Sequence, residues 1–240
     1  MPRLYEGRAL AYLEQNPLHH MDMLQPIRRG SAEVLAADAH GVLLLEKESG
    51  AHMLTVEAPR YAAEFLAQIE AARLMTVHQE YLLEDAAHRF GLRPILRCHQ
   101  AAGRHPAPPA VPQTPFRIEA LTPDMLDDVQ ALYSHDIGAA YIKGRLLAGE
   151  MFGAFGDGAL AGFIGLHEEG SMGMLEVLPA FRRMGVATGL IAHLCALLMD
   201  RGLTPFSQFT VENTASRKLH EAMGFSISSD TVCWLEPAEA

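Results

Sequence analysis

Two arginines stand side by side at Arg182–Arg183, just ahead of Gly185-Val186-Ala187-Thr188. They fall between a strand-like run, Ser171–Leu178, and a stretch, Thr188–Arg201, in which Leu190, Ile191, Leu194, Leu197 and Leu198 recur at helical spacing. A strand-to-helix turn presents unpaired backbone N–H groups and the positive end of a helix dipole, a combination that suits an anion. Gly185 and Ala187 leave the backbone accessible to a bulky phosphate. Neither GxxxxGK[ST] nor GxGxxG occurs, so the turn is not a nucleotide P-loop or a dinucleotide fingerprint. The RxxGxA pattern alone describes an ordinary turn equally well.

A second stretch runs from Asn213 to Phe225. Asn213 leaves a strand, Ser216 and His220 lie four apart on one helix face, and Gly224 stops the helix. Asn213 fits either a ligand contact or a plain helix N-cap.

Together the two stretches read V-L-P-x-x-R-x-x-G-V-A at Val177–Ala187 and N-x-x-S-x-x-L-H-x-x-x-G-F at Asn213–Phe225. In that order they resemble the GNAT superfamily of acyl-CoA-dependent N-acyltransferases over residues 116–235. Gly170–Met174 and Pro205–Asn213 look like its glycine N-acyltransferase-related branch. The resemblance implies acetyl-CoA as co-substrate, with no metal. Arg182, Arg183, Gly185, Val186, Ala187 and Thr188 would hold the pyrophosphate, Val177 and Leu178 the pantetheine arm, and Asn213 and Ser216 further parts of the cofactor. His220 stands where the family usually has a tyrosine that protonates the leaving thiolate. That role asks a neighbour such as Glu212 or Glu221 to raise its pKa; a solvated helix histidine or a cofactor contact is the alternative.

An attacking amine arrives as ammonium and must lose a proton. Ser171 occupies the position of the branch's glutamate, so the candidate bases are Glu169, Glu168 and Glu176, with Glu169 favoured. The alternative for Glu168-Glu169 is a solvated hairpin turn. The expected reaction is acetyl transfer to a small amine or amino acid. A non-catalytic acyl-CoA sensor and a protein N-acetyltransferase are the competing readings.

These residues need a scaffold. The predicted fold is α/β (α+β): a GNAT-type mixed, mostly antiparallel sheet flanked by helices, with an N-terminal α/β half of degenerate GNAT-like character. The domains read as 1–105, non-catalytic; a proline-rich linker at 106–115; and an acetyltransferase domain at 116–240. In the first, a helix is expected at Leu4–Gln15, strands at Ala32–Ala37, Gly41–Glu46 and His52–Glu57, and a helix at Tyr61–Ala72 behind Pro59. In the second, Gly156-Asp157-Gly158 predicts a hairpin, and two short strands are expected at Phe225–Ser228 and Val232–Leu235.

Among 240 residues, 49% are hydrophobic and 20% charged, an ordinary globular mixture. The net charge of −10 argues against nucleic-acid binding. The three cysteines form no CxxC, which excludes a cysteine zinc site and suits a reducing compartment. No leader or membrane-spanning run is evident, so a cytoplasmic protein with no membrane partner is expected, with a homodimer compatible. His19-His20, beside Met21 and Met23, lacks an HExxH or cysteine partner and reads as a packed segment. Gln25–Gly30 reads as a basic turn, Cys195 as core, and Trp234 as a packed strand residue.

Overall fold

The computed structural model describes residues 2–103, 109, 114–135 and 137–238. Most of the expected linker at 106–115 therefore lies outside the described residues. The chain divides into two units, and the division follows contacts rather than chain order. The first holds Met1–Ala102, Gln208–Glu221 and Ser226–Ala240; the second holds Gly103–Ser207 and Ala222–Phe225.

In the first unit, helices α1 (Pro2–Leu13) and α2 (Met21–Arg29) precede strands β1 (Ala32–Ala37), β2 (Gly41–Glu46) and β3 (His52–Val56). Helix α3 (Pro59–Leu66), strand β4 (Met75–Val77), helix α4 (Leu83–Phe90) and strand β5 (Leu92–Gly103) follow. The later segments add part of strand β10 (Phe206–Thr210), helix α8 (Thr214–Ala222) and strand β11 (Phe225–Pro237). The strand order is β1-β2-β3-β4-β11-β5-β10. Strands β1, β2 and β3 form an antiparallel meander. β3 and β4 are parallel, so the chain must cross over between them, and α3 occupies that crossover.

Strand β2 shows why this sheet is covered on both faces. Leu43 points into a core with Phe65, Leu66 and Leu82. Its neighbours Val42 and Leu44 point the other way, into a core with Ala9, Leu13, Met23 and Leu24. The period of two thus supplies both cores from one apolar run.

Three expectations are corrected here. The helix behind Pro59 ends at Leu66 rather than at Ala72. Gln25–Gly30 is not a turn: it completes α2, which carries Pro26 within it. Asp22 in the first turn and Arg28 and Arg29 in the last suit the helix dipole, and Gly30 closes it at φ 74°, its N–H donating to the Ile27 carbonyl and the Ser31 N–H to the Pro26 carbonyl. The two short terminal strands are one 13-residue strand, β11. Cys233, Trp234 and Leu235 pair with β4, and the Trp234 indole N–H donates to Gln208 Oε1 at 2.7 Å.

The second unit carries β6 (Arg117–Ala120), α5 (Leu126–Leu132), α6 (Ala139–Leu147), β7 (Met151–Gly156), β8 (Ala159–Leu166), β9 (Met172–Val177) and α7 (Val186–Asp200). The strand order is β10-β9-β8-β7-β6, antiparallel from β9 to β6. The expected β7–β8 hairpin is present. Asp157 and Gly158 both have positive φ, 49° and 81°, as a two-residue turn of the right twist requires. One face of this sheet packs on α5 and α6 through Phe163, Met151, Met174, Val129, Ile142 and Leu146. Cys195 is buried in α7, and burial pushes its thiol up to about 12, which leaves it an inert core residue.

Phe163 is wholly buried among these side chains. Phe163→Ala is expected to cost about 3–5 kcal/mol. A denaturant melt would show this as a lower midpoint; an unchanged midpoint would contradict the packing described. Among the described residues, no helix is long and apolar enough to cross a membrane.

Candidate functional site

The turn between β9 and α7 lies wholly in the second unit. Leu178 still bonds across the sheet, its N–H donating to the Ala161 carbonyl at 3.0 Å. A single 3-10 turn, Pro179–Phe181, follows, and Arg182 returns to an extended conformation. Its Nε–H donates to the Val177 carbonyl at 3.1 Å, which folds the guanidinium back over the strand end. Arg183 adopts φ 62° and Gly185 φ 83°, so the backbone twice enters the left-handed region within three residues. Arginine there is strained, and a strained residue in a turn is often a functional one.

Gly185 is the N-cap of the 15-residue α7, and no side chain caps that helix. The first intrahelical bond is the Gly189 N–H to the Gly185 carbonyl, at 2.9 Å. Val186, Ala187 and Thr188 therefore carry the unpaired amides that a helix start leaves. Arg182 and Arg183 are exposed beside them. Unpaired amides and a helix dipole meet at a turn that also carries two exposed arginines, and the residues present fit a pyrophosphate.

Strand β9 is irregular where it leads into this turn. Phe163↔Glu176 and Gly165↔Gly173 are both partner pairs, so three steps on β9 face two on β8. The extra residue makes a β-bulge, and Met174 has φ 51°. On the other edge, the register with β10 is Ser207↔Met172 alone. From Gly173 to Val177, β9 has registered partners only on β8 among the described residues. That leaves strand-edge backbone of the kind an extended ligand arm can pair with. Gly162 permits the close approach of the two strands, since a Cβ there would lie 2.5 Å from the Glu176 carbonyl oxygen.

At the other end of β9 is a buried polar group. The β8–β9 hairpin is closed by the His167 N–H to the Ser171 carbonyl at 2.9 Å, with Gly170 at φ 95°. Glu169 in this turn is only 6% exposed, so it is not the solvated hairpin carboxylate that was its alternative reading. The Ser171 hydroxyl donates to Glu169 Oε1 in a short hydrogen bond. The Tyr141 hydroxyl lies 2.7 Å from His167 Nδ1, and the Arg145 Nε–H donates to the Leu166 carbonyl at 2.7 Å. Burial, then the Glu169 and Glu168 charges, pushes the Tyr141 phenol far up, so it keeps its proton. Burial also lowers His167 below its ordinary value, against the opposing pull of Glu169. Its ring fills the space beside Gly173, where a Cβ would meet Nε2 at 2.3 Å. Glu168 is half-buried in the same turn.

Glu176 serves elsewhere. Its Oε2 accepts the Ser134 N–H at 3.2 Å and the Ser134 hydroxyl at 2.6 Å, and Arg182 stands 3.9 Å from Oε1. Its charge adds to burial in raising Tyr133 to about 12.

Asn213, Ser216 and His220 lie in the first unit. Asn213 Oδ1 accepts the Ser216 N–H at 2.9 Å, so Asn213 caps α8. His220 is buried, not solvated, and its Nδ1 lies 2.8 Å from the Ser216 carbonyl. Its ring stacks on Phe209 at 5.4 Å. Glu221 is paired with Arg217 at 3.3 Å, and burial outweighs the Ser216 carbonyl to lower His220 below its ordinary pKa. The carboxylate-raised imidazolium that the acid role asks for is therefore not what this environment favours.

Tyr141 and His167 escaped the sequence reading. The available signal was weak: Tyr141 and Arg145 share one face of α6, four residues apart, and His167 opens the His-Glu-Glu-Gly-Ser turn.

Comparison with known proteins places the fold. Residues 152–235 match the model of the FR47-like protein family. A Drosophila protein solved by X-ray crystallography is similar at 16% identity with a TM-score of 0.70, over 99% of this chain and 97% of that one. A putative GNAT-family acetyltransferase from Novosphingobium aromaticivorans aligns at 18% identity and TM-score 0.55, over 98% and 97% of the two chains. A GCN5-related N-acetyltransferase-like protein from Streptococcus suis aligns at 13% identity and TM-score 0.59, over 98% and 99%. No curated protein matches the sequence. The likenesses span the N-terminal half as well as the motif-bearing half, so the expected fold class holds across the chain.

Proposed function

From a GNAT acetyltransferase-like fold spanning the chain, with an FR47-like segment at residues 152–235, we propose that the protein is an acyl-CoA-dependent N-acyltransferase. It moves acetyl from acetyl-CoA to the amine of a small molecule or amino acid. The observation that carries this reading is the uncapped start of α7 directly behind the bulged β9, with Arg182 and Arg183 beside it.

Acetyl-CoA, when bound, supplies an activated thioester. The chain's own residues do the rest. The amides of Val186, Ala187 and Thr188, with Arg182 and Arg183, hold the pyrophosphate. The β9 edge leading to Val177 and Leu178 orients the pantetheine arm. Glu169 takes the proton from the incoming ammonium, and Ser171 fixes the carboxylate by donating to one of its oxygens. A thiol has a pKa of about 8.5, so the leaving thiolate takes its proton at neutral pH without a charged histidine. His220 enters this reading as a neutral, hydrogen-bonded ring. The acidity of the chain favours a cationic acceptor.

The test is calorimetric titration with acetyl-CoA, followed by a panel of small amines with free thiol as the readout. Saturable binding with thiol release for one amine class is the expected result. Binding without release would make the chain an acyl-CoA sensor. Mass shifts on a protein substrate alone would make it a protein N-acetyltransferase. No binding would remove the functional reading altogether.

A further inference from the structure

The fold assembles a second polar cluster that the sequence keeps apart. His19 and His20 end the turn before α2, Asp22 lies in its first turn, and His78 follows β4. All four belong to the first unit and are buried. His19, His20 and His78 each offer a ring nitrogen, and these nitrogens all lie within 4.8 Å of one another. His78 and Asp22 have side chains with no exposure at all, and His78 Nε2 stands 3.2 Å from Asp22 Oδ2. Beyond that contact, His78 Nδ1 and His19 Nδ1 have no hydrogen-bonding partner. Burying unsatisfied polar atoms is costly and rare. A bound cation would satisfy them.

The surroundings point the same way. His20 Nδ1 lies 3.1 Å from the Leu13 carbonyl and Nε2 lies 3.1 Å from Thr55 Oγ1, so with Nδ1–H donating to Leu13 the Nε2 lone pair would exchange the Thr55 hydroxyl for the ion. Gln100 donates to Asp22 Oδ1 at 2.8 Å and accepts the Asp22 N–H at 3.1 Å, leaving Oδ2 as the inward oxygen. Metal-binding histidines and carboxylates are oriented by second contacts of this kind. Adjacent ligands of tetrahedral zinc stand about 3.3 Å apart. The His78–Asp22 separation of 3.2 Å already matches that edge, and the three histidine nitrogens, within 4.8 Å of one another, would draw in around the ion.

We propose that His19, His20, His78 and Asp22 bind one divalent transition-metal ion of the zinc class. Three imidazoles and a carboxylate form a closed four-coordinate set, so the ion is structural: it ties the turn before α2 to the end of β4. The proposal is independent of the acyltransferase reading, because its residues and readout are separate.

The probe is cobalt(II) alone, titrated into tag-free, chelator-treated full-length protein. The expected result is the visible absorption of four-coordinate cobalt, saturating at one equivalent and abolished by one equivalent of zinc. Asp22→Asn keeps the acceptor for Gln100, and His19→Gln keeps a polar group at the turn; each should weaken cobalt binding at least about tenfold. His78→Ala should abolish the band. Circular dichroism of each metal-free variant reports folding separately. Absence of the band in the folded wild-type chain, or its persistence in folded Asp22→Asn and His19→Gln at unchanged affinity, overturns the proposal.

Discussion

Glu169→Gln is expected to lower kcat/KM for the amine by about 10²- to 10⁴-fold, the usual range for a lost general base. Glutamine keeps the size of the side chain and can still accept from Ser171, so the turn between β8 and β9 should persist. What it cannot do is take a proton. The loss should therefore fall on the step that consumes amine, while the calorimetric Kd for acetyl-CoA stays within about twofold of wild type. Glu168→Gln provides the comparison. Glu168 is half-buried where Glu169 is almost wholly buried, and Glu169 alone is gripped by the Ser171 hydroxyl. If Glu168→Gln produces the larger loss, the two adjacent carboxylates exchange roles. If neither affects turnover, the proton is taken elsewhere, and Glu176, tied to Ser134 and near Arg182, is the next residue to change.

Much of the scaffold could be read in advance because local patterns agreed with the fold. The run Gly41–Glu46 is a strand in sequence and in structure, and Gly156-Asp157-Gly158 gives the turn its chemistry demands. The α7 start was legible for the same reason, since small residues ahead of an amphipathic stretch describe a helix N-terminus. Other features were hidden by physics that acts only after folding. Pro26 normally argues against helix, but the buried Met23 and Leu24 on α2 outweigh it. The bulge at Met174 has no local signature, because it is set by the mismatch of two paired strands. Nothing in Glu168-Glu169 announces that one carboxylate is buried and the other half-exposed. Proximity of His19-His20 to His78 depends on where β4 is placed beside β3, a non-local pairing. The placement of residues 208–221 with the first unit is likewise invisible to motifs, which follow chain order.

The second large effect concerns Gly185. Gly185→Val is expected to raise the Kd for coenzyme A at least about tenfold, which corresponds to about 1.4 kcal/mol. The residue sits at φ 83°, ψ 0°, where a left-handed backbone costs an L-residue roughly 1–2 kcal/mol and a β-branched one more. To escape that strain the turn must rotate, and rotation swings the Val186 and Ala187 amides away from the anion. Gly185→Asn separates this geometric cause from simple crowding, because asparagine tolerates the left-handed region better than other side chains. Its affinity should fall between wild type and Gly185→Val. Arg183 offers the complementary change, since it already occupies φ 62° with a side chain present. Arg183→Gly relieves backbone strain while removing an exposed charge, so its effect on binding should be modest and should shrink as salt is raised. The Gly185→Val defect should instead persist at high salt, because misdirected amides are not restored by screening. A Gly185→Val protein that binds coenzyme A as tightly as wild type would show that the α7 amides do not hold the anion. The binding assigned to this turn would then have to come from the arginines alone.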